Sequence, residues 1–277
     1  MSGRPANELD CLTRVFEDTT MIAERNFKLW DGIYGSFADA PASGPGFAGP
    51  AWEEHSLETA RATLAQIAAG QPIDYSLKQR NAVLPILVAG LLSHQSQTTV
   101  LDFGGGLGVG FMVLMDEIKS PLSRVHYHIV ELERICRAGA NLFAAQPAPV
   151  FHDRLPAGKN FDIVYSSSVM QYIDDWRGKV AELAAFQARF LVFSDAFVGD
   201  FPTYATLQNY YGSKIPHWFL NFRDFVAAVE SRGYSLVLRS ECSPKILGRH
   251  GSLPMGNFPA ELRVPASSHL LFQRNSA

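Results

Sequence analysis

The stretch Val100-Leu101-Asp102-Phe103-Gly104-Gly105-Gly106-Leu107-Gly108-Val109-Gly110 decides the fold of this chain. An apolar strand over about residues 98–103 runs into a glycine cluster, and an apolar helix begins near Leu107. The glycines leave almost no side chain at the turn, so a ligand can approach the backbone closely. The first N–H groups of the helix face whatever lies above the turn. This order predicts a nucleotide-binding site in an open α/β sheet, beyond the carboxyl ends of the strands.

The spacing of the glycines separates three kinds of nucleotide site. A Walker loop requires Gly-Lys-Ser/Thr after its glycines, but Val109 follows Gly108. A dinucleotide fingerprint requires a glycine at its sixth position, and counting from Gly104 puts Val109 there. The pattern that fits is Asp-x-Gly-x-Gly-x-Gly, which resembles motif I of class I S-adenosylmethionine (SAM) methyltransferases. The resemblance implies that Asp102 holds the methionine ammonium of SAM, or orders water near it, and that the glycines lie against the nucleoside.

Strands and helices alternate beyond this motif, as they do in a parallel doubly wound sheet. Helices are expected at about 133–145, 176–188 and 222–231. Seven strands are expected at about 98–103, 125–131, 149–153, 161–166, 190–195, 234–240 and 269–273. The long connector between the last two resembles that of the antiparallel strands in class I methyltransferases. The sequence therefore predicts an α/β, Rossmann-like, seven-stranded class I methyltransferase sheet with helices on both faces.

The chain divides into two predicted regions. Residues 1–95 precede the sheet, and helical periodicity over 56–69 and 76–92, with Pro85 kinking or splitting the second, predicts a helical N-terminal cap or lid. The alternative is an appendage that packs on the core without touching a ligand. Residues 96–277 are predicted to form the SAM-binding methyltransferase core, with acceptor-site insertions at about 197–220 and 241–268.

Polar residues at the ends of the predicted strands are candidates for cofactor binding. Glu131 ends the second strand, where a carboxylate can accept both ribose hydroxyls, whereas Glu133 lies at a helix start, where acids are common. The resemblance makes Glu131 the ribose-binding acid. It also implies that Asp153 bonds the adenine amino group, against the alternative of a surface turn. The segment 166–168 would border the methionine part. The predicted SAM-binding residues are Asp102, Gly104, Gly105, Gly106, Glu131, Asp153, Ser166 and Ser167.

Two residues past the core motif are candidates for catalysis. Methyl transfer requires mainly the alignment of donor and acceptor, but an oxygen acceptor must also lose its proton. His217, in an aromatic segment, is the first predicted base because the pKa of a histidine ordinarily lies near neutral. Asp195, which ends the fifth strand, is the second. The alternatives are a packed structural histidine and a turn cap. Further residues either line an acceptor site or form a surface loop: Tyr204, Gln208, Asn209, Tyr210 and Tyr211.

A closer resemblance rests on four motifs: Trp30-x-Gly32-x-Tyr34, 101–108, 167–172 and Trp218-Phe219. They recur together in a family of predicted class I methyltransferases, many of them encoded beside surface-polysaccharide genes. The resemblance implies O-methylation of a hydroxyl on a sugar or glycan precursor. The triple serine at 166–168 replaces the Asn/Asp-Pro-Pro-Tyr of amino-methylating relatives, which disfavours an amide or nucleobase nitrogen. A small natural product as acceptor, a non-catalytic SAM-binding protein and a nicotinamide oxidoreductase are the alternatives.

Composition limits the classes of partner. The 277 residues carry 24 basic and 27 acidic side chains without a basic run, so no nucleic-acid partner is expected. No apolar run reaches membrane-spanning length, and no signal region follows Met1, so we expect a cytoplasmic protein. Cys11, Cys136 and Cys242 are too far apart to suggest a zinc site or a disulfide framework, and no metal is predicted. The expected partner is a small-molecule or glycan acceptor.

Overall fold

A computed structural model describes residues 28–118, 122–144, 148–243, 246 and 251–276. In the described residues the strands are β1 (Trp30–Tyr34), β2 (Thr98–Phe103), β3 (Val125–Val130), β4 (Val150–His152), β5 (Ile163–Ser167), β6 (Phe190–Ala196), β7 (Val198–Gly199), β8 (Tyr204–Tyr210), β9 (Ser213–Asn221), β10 (Tyr234–Cys242) and β11 (Ser267–Arg274). The α-helices are α1 (Pro50–Ala68), α2 (Tyr75–Arg80), α3 (Val83–Leu92), α4 (Val109–Glu117), α5 (Glu133–Leu142), α6 (Trp176–Ala184) and α7 (Phe222–Glu230).

The central sheet has seven strands in the order β10-β11-β6-β5-β2-β3-β4. Five strands are parallel to one another, in the order β6-β5-β2-β3-β4 across the sheet. The strand β11 is antiparallel to both of its neighbours, β6 and β10. This is a Rossmann-like, mostly parallel sheet of seven strands, so the predicted α/β fold class is confirmed. The chain order reverses on the two sides of β2, which places the glycine turn after β2 at the switch point of the sheet.

Both faces of the sheet are covered because successive residues of each central strand point to opposite sides. Val100 and Leu101 of β2 are both fully buried. Leu101 packs in a cluster that includes Val180 of α6, and Val100 packs in a second cluster that includes Phe111 of α4. The two apolar layers hold β2 rigidly between helices, as the prediction of helices on both faces requires.

A second sheet of four strands, in the order β1-β8-β9-β7, stands beside the first. The predicted insertion at 197–220 forms most of it as an antiparallel hairpin of β8 and β9. The strand β1 comes from the N-terminal region and pairs antiparallel with β8, so that Trp30 lies opposite Gln208. The N-terminal region thus contributes a strand in addition to the predicted helices, because Trp30 buries its ring against Phe197 and Phe219.

The helices before the sheet differ from the prediction in two details. The helix expected at 56–69 begins earlier, at Pro50 rather than at residue 56. The expected helix at 76–92 is two helices, α2 and α3, and the break lies at Asn81 and Ala82 rather than at Pro85. Pro85 lies in the first turn of α3, where a backbone N–H has no helical partner to lose. Residues 1–27 of the predicted cap and 247–250 of the second predicted insertion lie outside the described residues. Within the described ranges, no helix combines the length and the apolar character that spanning a bilayer requires.

Candidate functional site

The glycine turn after β2 is built from residues with positive φ angles. The φ angles are +72° at Gly104, +56° at Gly106 and +87° at Gly108, in the region that favours glycine. A Cβ at Gly104 would lie 2.5 Å from Cγ2 of Val169, so this side of the turn is closed by packing. A Cβ at Gly106 would meet no described atom within 4 Å. The space where a ligand can approach the backbone is therefore above Gly106.

Glu131 follows β3 directly and lies over the same turn. Its Oε1 accepts a hydrogen bond from the Gly106 N–H at 3.2 Å, and its Oε2 accepts one from the Leu132 N–H at 2.8 Å. Burial raises the pKa of Glu131, although the two N–H donors and the positive charge of Arg134 oppose that effect. The structure thus brings the predicted ribose-binding acid and the glycine turn into contact.

Asp102 lies behind the turn rather than in the open space. Its carboxyl is buried, and Oδ2 accepts a hydrogen bond from the Tyr127 hydroxyl at 2.7 Å. A Cβ at Gly105 would lie 2.4 Å from the same Oδ2, so the turn passes directly over this side chain. Burial raises the pKa of Asp102 to about 7. The carboxyl supports the backbone of the turn from below, and its predicted contact with a methionine ammonium stays a prediction.

Asp153 lies just past β4, on the far side of Glu131 from β2. The carbonyl of His152 accepts the Glu131 N–H at 3.0 Å, which ties the ends of β3 and β4 together. The Asp153 side chain is 51% exposed and forms an ion pair with Arg154 at 3.4 Å. It is therefore accessible beside Glu131, and its predicted bond to adenine remains untested.

The two predicted serines point to opposite faces of β5. Ser167 is half-buried, and its hydroxyl donates to the carbonyl of Arg80 at 3.1 Å. Ser166 is 2% exposed, and its Oγ has no hydrogen-bond partner among the described residues. Ser167 thus lies toward α2, whereas Ser166 faces the apolar layer below the sheet rather than the rim.

Asp195 ends β6 with a φ angle of +50° and is buried. Its Oδ1 accepts the Ser267 hydroxyl, and its Oδ2 accepts the Ser168 hydroxyl. The Nε of Arg80 lies 3.6 Å from Oδ2. Because both oxygens already accept hydrogen bonds, proton transfer to Asp195 from an acceptor would compete with these contacts.

His217 lies in the core of the second sheet. Its ring is fully buried, and neither nitrogen has a hydrogen-bond partner within the described part of the chain. Burial lowers its pKa to about 3, so the ring is neutral near pH 7. In this arrangement the ring does not reach the open space above the glycine turn, which we call the crevice. The predicted base role would require the surrounding rings to move, and it stays a prediction. The rings around it, at centroid distances of 4.8 to 5.5 Å, are those of Trp30, Tyr172, Phe197 and Phe219.

The segment before α1 lies across the crevice. The Phe47 ring packs edge-on against Tyr172, with the ring centroids 4.8 Å apart, and at a tilt against Tyr210, with the centroids 5.3 Å apart, on the side of the β8–β9 hairpin. On the other side, Arg134 of α5 donates to Glu53 at 2.5 Å and to the Phe47 carbonyl. The predicted cap thus spans from the helix after Glu131 to the second sheet. The sequence offered no signal for this contact, because it joins segments that lie far apart along the chain.

The predicted acceptor-lining residues divide among three environments. The Tyr172 hydroxyl donates to Oε1 of Gln208 at 2.8 Å, and Tyr210 lies beside Phe47, so Gln208 and Tyr210 line the covered side of the hairpin. Tyr204 instead stacks on Phe219 in a separate apolar cluster. Two other members lie at the outer end of β8: the Asn209 amide donates to a backbone carbonyl, and Tyr211 is exposed.

No protein-family model and no curated protein matches this chain. A magnesium protoporphyrin IX methyltransferase from Synechocystis PCC 6803, solved with bound SAM, is 14% identical, with a TM-score of 0.45 over 71% of this chain and 80% of its own. A 1,6-didemethyltoxoflavin-N1-methyltransferase from Burkholderia thailandensis is 14% identical, with a TM-score of 0.49 over 86% and 93%. An amino pentose methyltransferase from Micromonospora echinaspora is 12% identical, with a TM-score of 0.46 over 72% and 92%. Likenesses at this level identify no activity, and the Rossmann-like fold is seen directly in the order of the sheet.

Across the described ranges, no three side chains of His, Cys, Asp or Glu come together in a way that could hold a metal ion. The polar groups that meet at the switch point are instead a carboxylate over a glycine turn, a buried carboxyl below it and a guanidinium on the side of β5 and β6. Such groups can bind a nucleoside diol and orient a charged ligand.

Proposed function

We propose that this protein is a SAM-dependent methyltransferase. The observation that carries the proposal is the contact between Glu131 and the Gly106 N–H, beside backbone with open space above it. A carboxylate at this place can accept the two hydroxyls of a ribose, because each of its oxygens has a lone pair to spare. The bare turn at Gly106 then receives the nucleoside without a side chain in the way. These features fit SAM as the cofactor.

The residues of the chain bind and align, while bound SAM supplies an activated methyl group on its sulfonium. Glu131 orients the ribose, Gly106 leaves room for the nucleoside, and Asp102 supports the turn from below. The segment around Phe47 covers the crevice and limits the access of water. Alignment of this kind is the main contribution that a protein makes to methyl transfer.

For the acceptor, we propose a hydroxyl on a sugar or a glycan precursor. The pair of Tyr172 and Gln208 offers a hydroxyl and an amide beside the aromatic ring of Tyr210, which suits a polyhydroxylated molecule. A small natural product with a planar ring would fit the same wall through Phe47 and Tyr210. A protein that binds SAM without catalysis is the third candidate. Release of S-adenosylhomocysteine (SAH) from SAM with nucleotide sugars, with phenolic compounds or with neither separates the three.

The Glu131→Ala variant tests the cofactor site by calorimetry. We expect wild-type protein to bind SAM with a Kd of about a micromolar or lower, and the variant to bind it about tenfold more weakly or worse, a loss of about 1.4 kcal/mol. The matched control is Glu133→Ala, an acid two positions on that forms a surface ion pair with Arg137. Unchanged SAM affinity in Glu131→Ala would refute the assignment. A melting temperature raised by NADH but not by SAM would favour an oxidoreductase instead.

A further inference from the structure

We propose that Arg80 is the carboxylate-binding residue of the crevice. The carboxylate comes either from the amino-acid end of the cofactor or from an acidic acceptor. This inference rests on the proposed function, because it places the ligand by its contact with Glu131.

The backbone of Arg80 is held firmly at the end of α2. Its carbonyl accepts hydrogen bonds from the Ser167 hydroxyl at 3.1 Å and from the Tyr165 hydroxyl at 3.3 Å. Both hydroxyls come from β5, beside the switch point. The Cα of Arg80 is thus anchored to the central sheet, while its side chain is 36% exposed.

The guanidinium has unused hydrogen-bonding capacity. An arginine side chain carries five N–H donors, yet the buried Nε of Arg80 has no hydrogen-bond partner among the described residues. Within the described ranges its one counter-charge is Asp195, with Nε 3.6 Å from Oδ2, and the oxygens of Asp195 already accept two serine hydroxyls. Arg134, across the crevice, is by contrast occupied by Glu53 and the Phe47 carbonyl. A planar guanidinium with unused N–H donors matches a carboxylate, because it can bind both carboxylate oxygens through two parallel hydrogen bonds.

The position of Arg80 relative to the glycine turn indicates which part of a ligand it meets. Ser168, which bonds Asp195, is followed by Val169, and Val169 packs against Gly104. Arg80 therefore lies on the side of β5 and β6, whereas Glu131 lies on the side of β3. A nucleoside held at its diol by Glu131 directs its other end toward Arg80. In SAM and SAH that end carries a free carboxylate.

The test compares two ligands that differ in this end alone. SAH carries the amino-acid group, whereas 5′-methylthioadenosine keeps the adenosine and the sulfur but lacks that group. We expect Arg80→Met to weaken SAH by about tenfold or more, as for a lost charged hydrogen bond, and to leave the affinity for 5′-methylthioadenosine within about twofold. Arg80→Lys keeps the positive charge beside Asp195 but not the planar guanidinium, so an intermediate loss of SAH affinity is expected. Should the Met variant not fold, the Lys variant decides.

The control is Arg177→Met, which removes an arginine that is also paired with an aspartate, Asp224 at 3.4 Å, but on the surface. It should change neither affinity. If SAH binding survives in Arg80→Met, wild-type protein saturated with SAH is titrated with D-glucuronate and with D-glucose. Binding of glucuronate alone, lost in Arg80→Met, would assign the carboxylate to the acceptor. The proposal would be overturned if Arg80→Met left the SAH affinity unchanged and the wild-type protein did not bind glucuronate in preference to glucose. Wild-type protein that binds neither SAH nor 5′-methylthioadenosine would refute the proposed function itself.

Discussion

The substitution Asp102→Asn should change how the stability of this protein depends on pH. The side chain is 2% exposed, and its single hydrogen-bond donor among the described side chains is the Tyr127 hydroxyl at 2.7 Å. Burial is the largest cause of its raised pKa, which moves from 3.8 to about 7, and the negative charge of Glu131 adds to it. Asparagine has nearly the same shape and no ionisation.

The direction and the size of the effect follow from proton linkage. Above about pH 4 the unfolded chain releases the proton of Asp102, while the folded chain keeps it until about pH 7. The folded state therefore binds more protons in this window, and the free energy of unfolding of the wild type falls as the pH rises through it. At about 1.4 kcal/mol for each pKa unit, the loss is at most about 4 kcal/mol once both states are ionised. The Asn variant does not share this loss.

Urea unfolding of wild-type protein and Asp102→Asn between about pH 4 and pH 8 measures the difference directly. All other titrating groups are common to both proteins, so their contributions cancel in the difference. The stability of the variant relative to the wild type should rise steadily across this range and level off above about pH 7. A difference that stays constant with pH would show that Asp102 ionises alike in both states, and the account of its burial would be wrong.

Two further substitutions test the turn and the buried ring. Gly106→Ala introduces strain of about 1 to 2 kcal/mol at a φ of +56° and places a methyl group in the open space, so SAH should bind about tenfold more weakly or worse. The matched control, Gly158→Ala, has a φ of +70° and equally open surroundings, and it should leave the SAH affinity measured by calorimetry unchanged. In the wild type the pKa of His217 falls from 6.5 to about 3 on folding, so stability contributed by the neutral ring is lost as the pH drops through this range. The melting temperature of His217→Phe should therefore fall less than that of the wild type when the pH is lowered from about 7 to about 4.5. Full methyl-transfer activity in this variant would exclude the ring as the base.

The central sheet was predictable because its determinants are local. The strand β2 was predicted at the residues where it lies, since an apolar run ends in glycines that only a tight turn requires. The pairing of β1 with β8 had no such signal: Trp30 and Gln208 meet only after the rest of the chain has folded between them. The same holds for the contact of Arg134 with Glu53, which links a helix of the core to α1.

The environment of His217 could have been read from the sequence, which left the base role and a packed structural histidine as alternatives. Along the first half of β9 the buried Ile215 and His217 alternate with the less buried Lys214 and Pro216, and from Trp218 to Leu220 both faces of the strand are buried. Alternation with a period of two is the pattern of a half-buried strand, and it puts the imidazole on the same face as two apolar side chains. A histidine flanked in this way is more often packed than exposed at a rim.

The arrangement of charge at the switch point also bears on which nucleotide it suits. In a dinucleotide site the turn N–H groups bind a pyrophosphate, which requires free donors and a positive potential. Here the Gly106 N–H is already donated to Glu131, and that carboxylate lies where a phosphate would approach. Asp102 below the turn adds further negative charge as it ionises near pH 7. The guanidinium of Arg80, beside Asp195, lies instead on the side of β5 and β6. Negative charge at the diol and a guanidinium beyond it disfavour a diphosphate and favour a nucleoside joined to an amino acid.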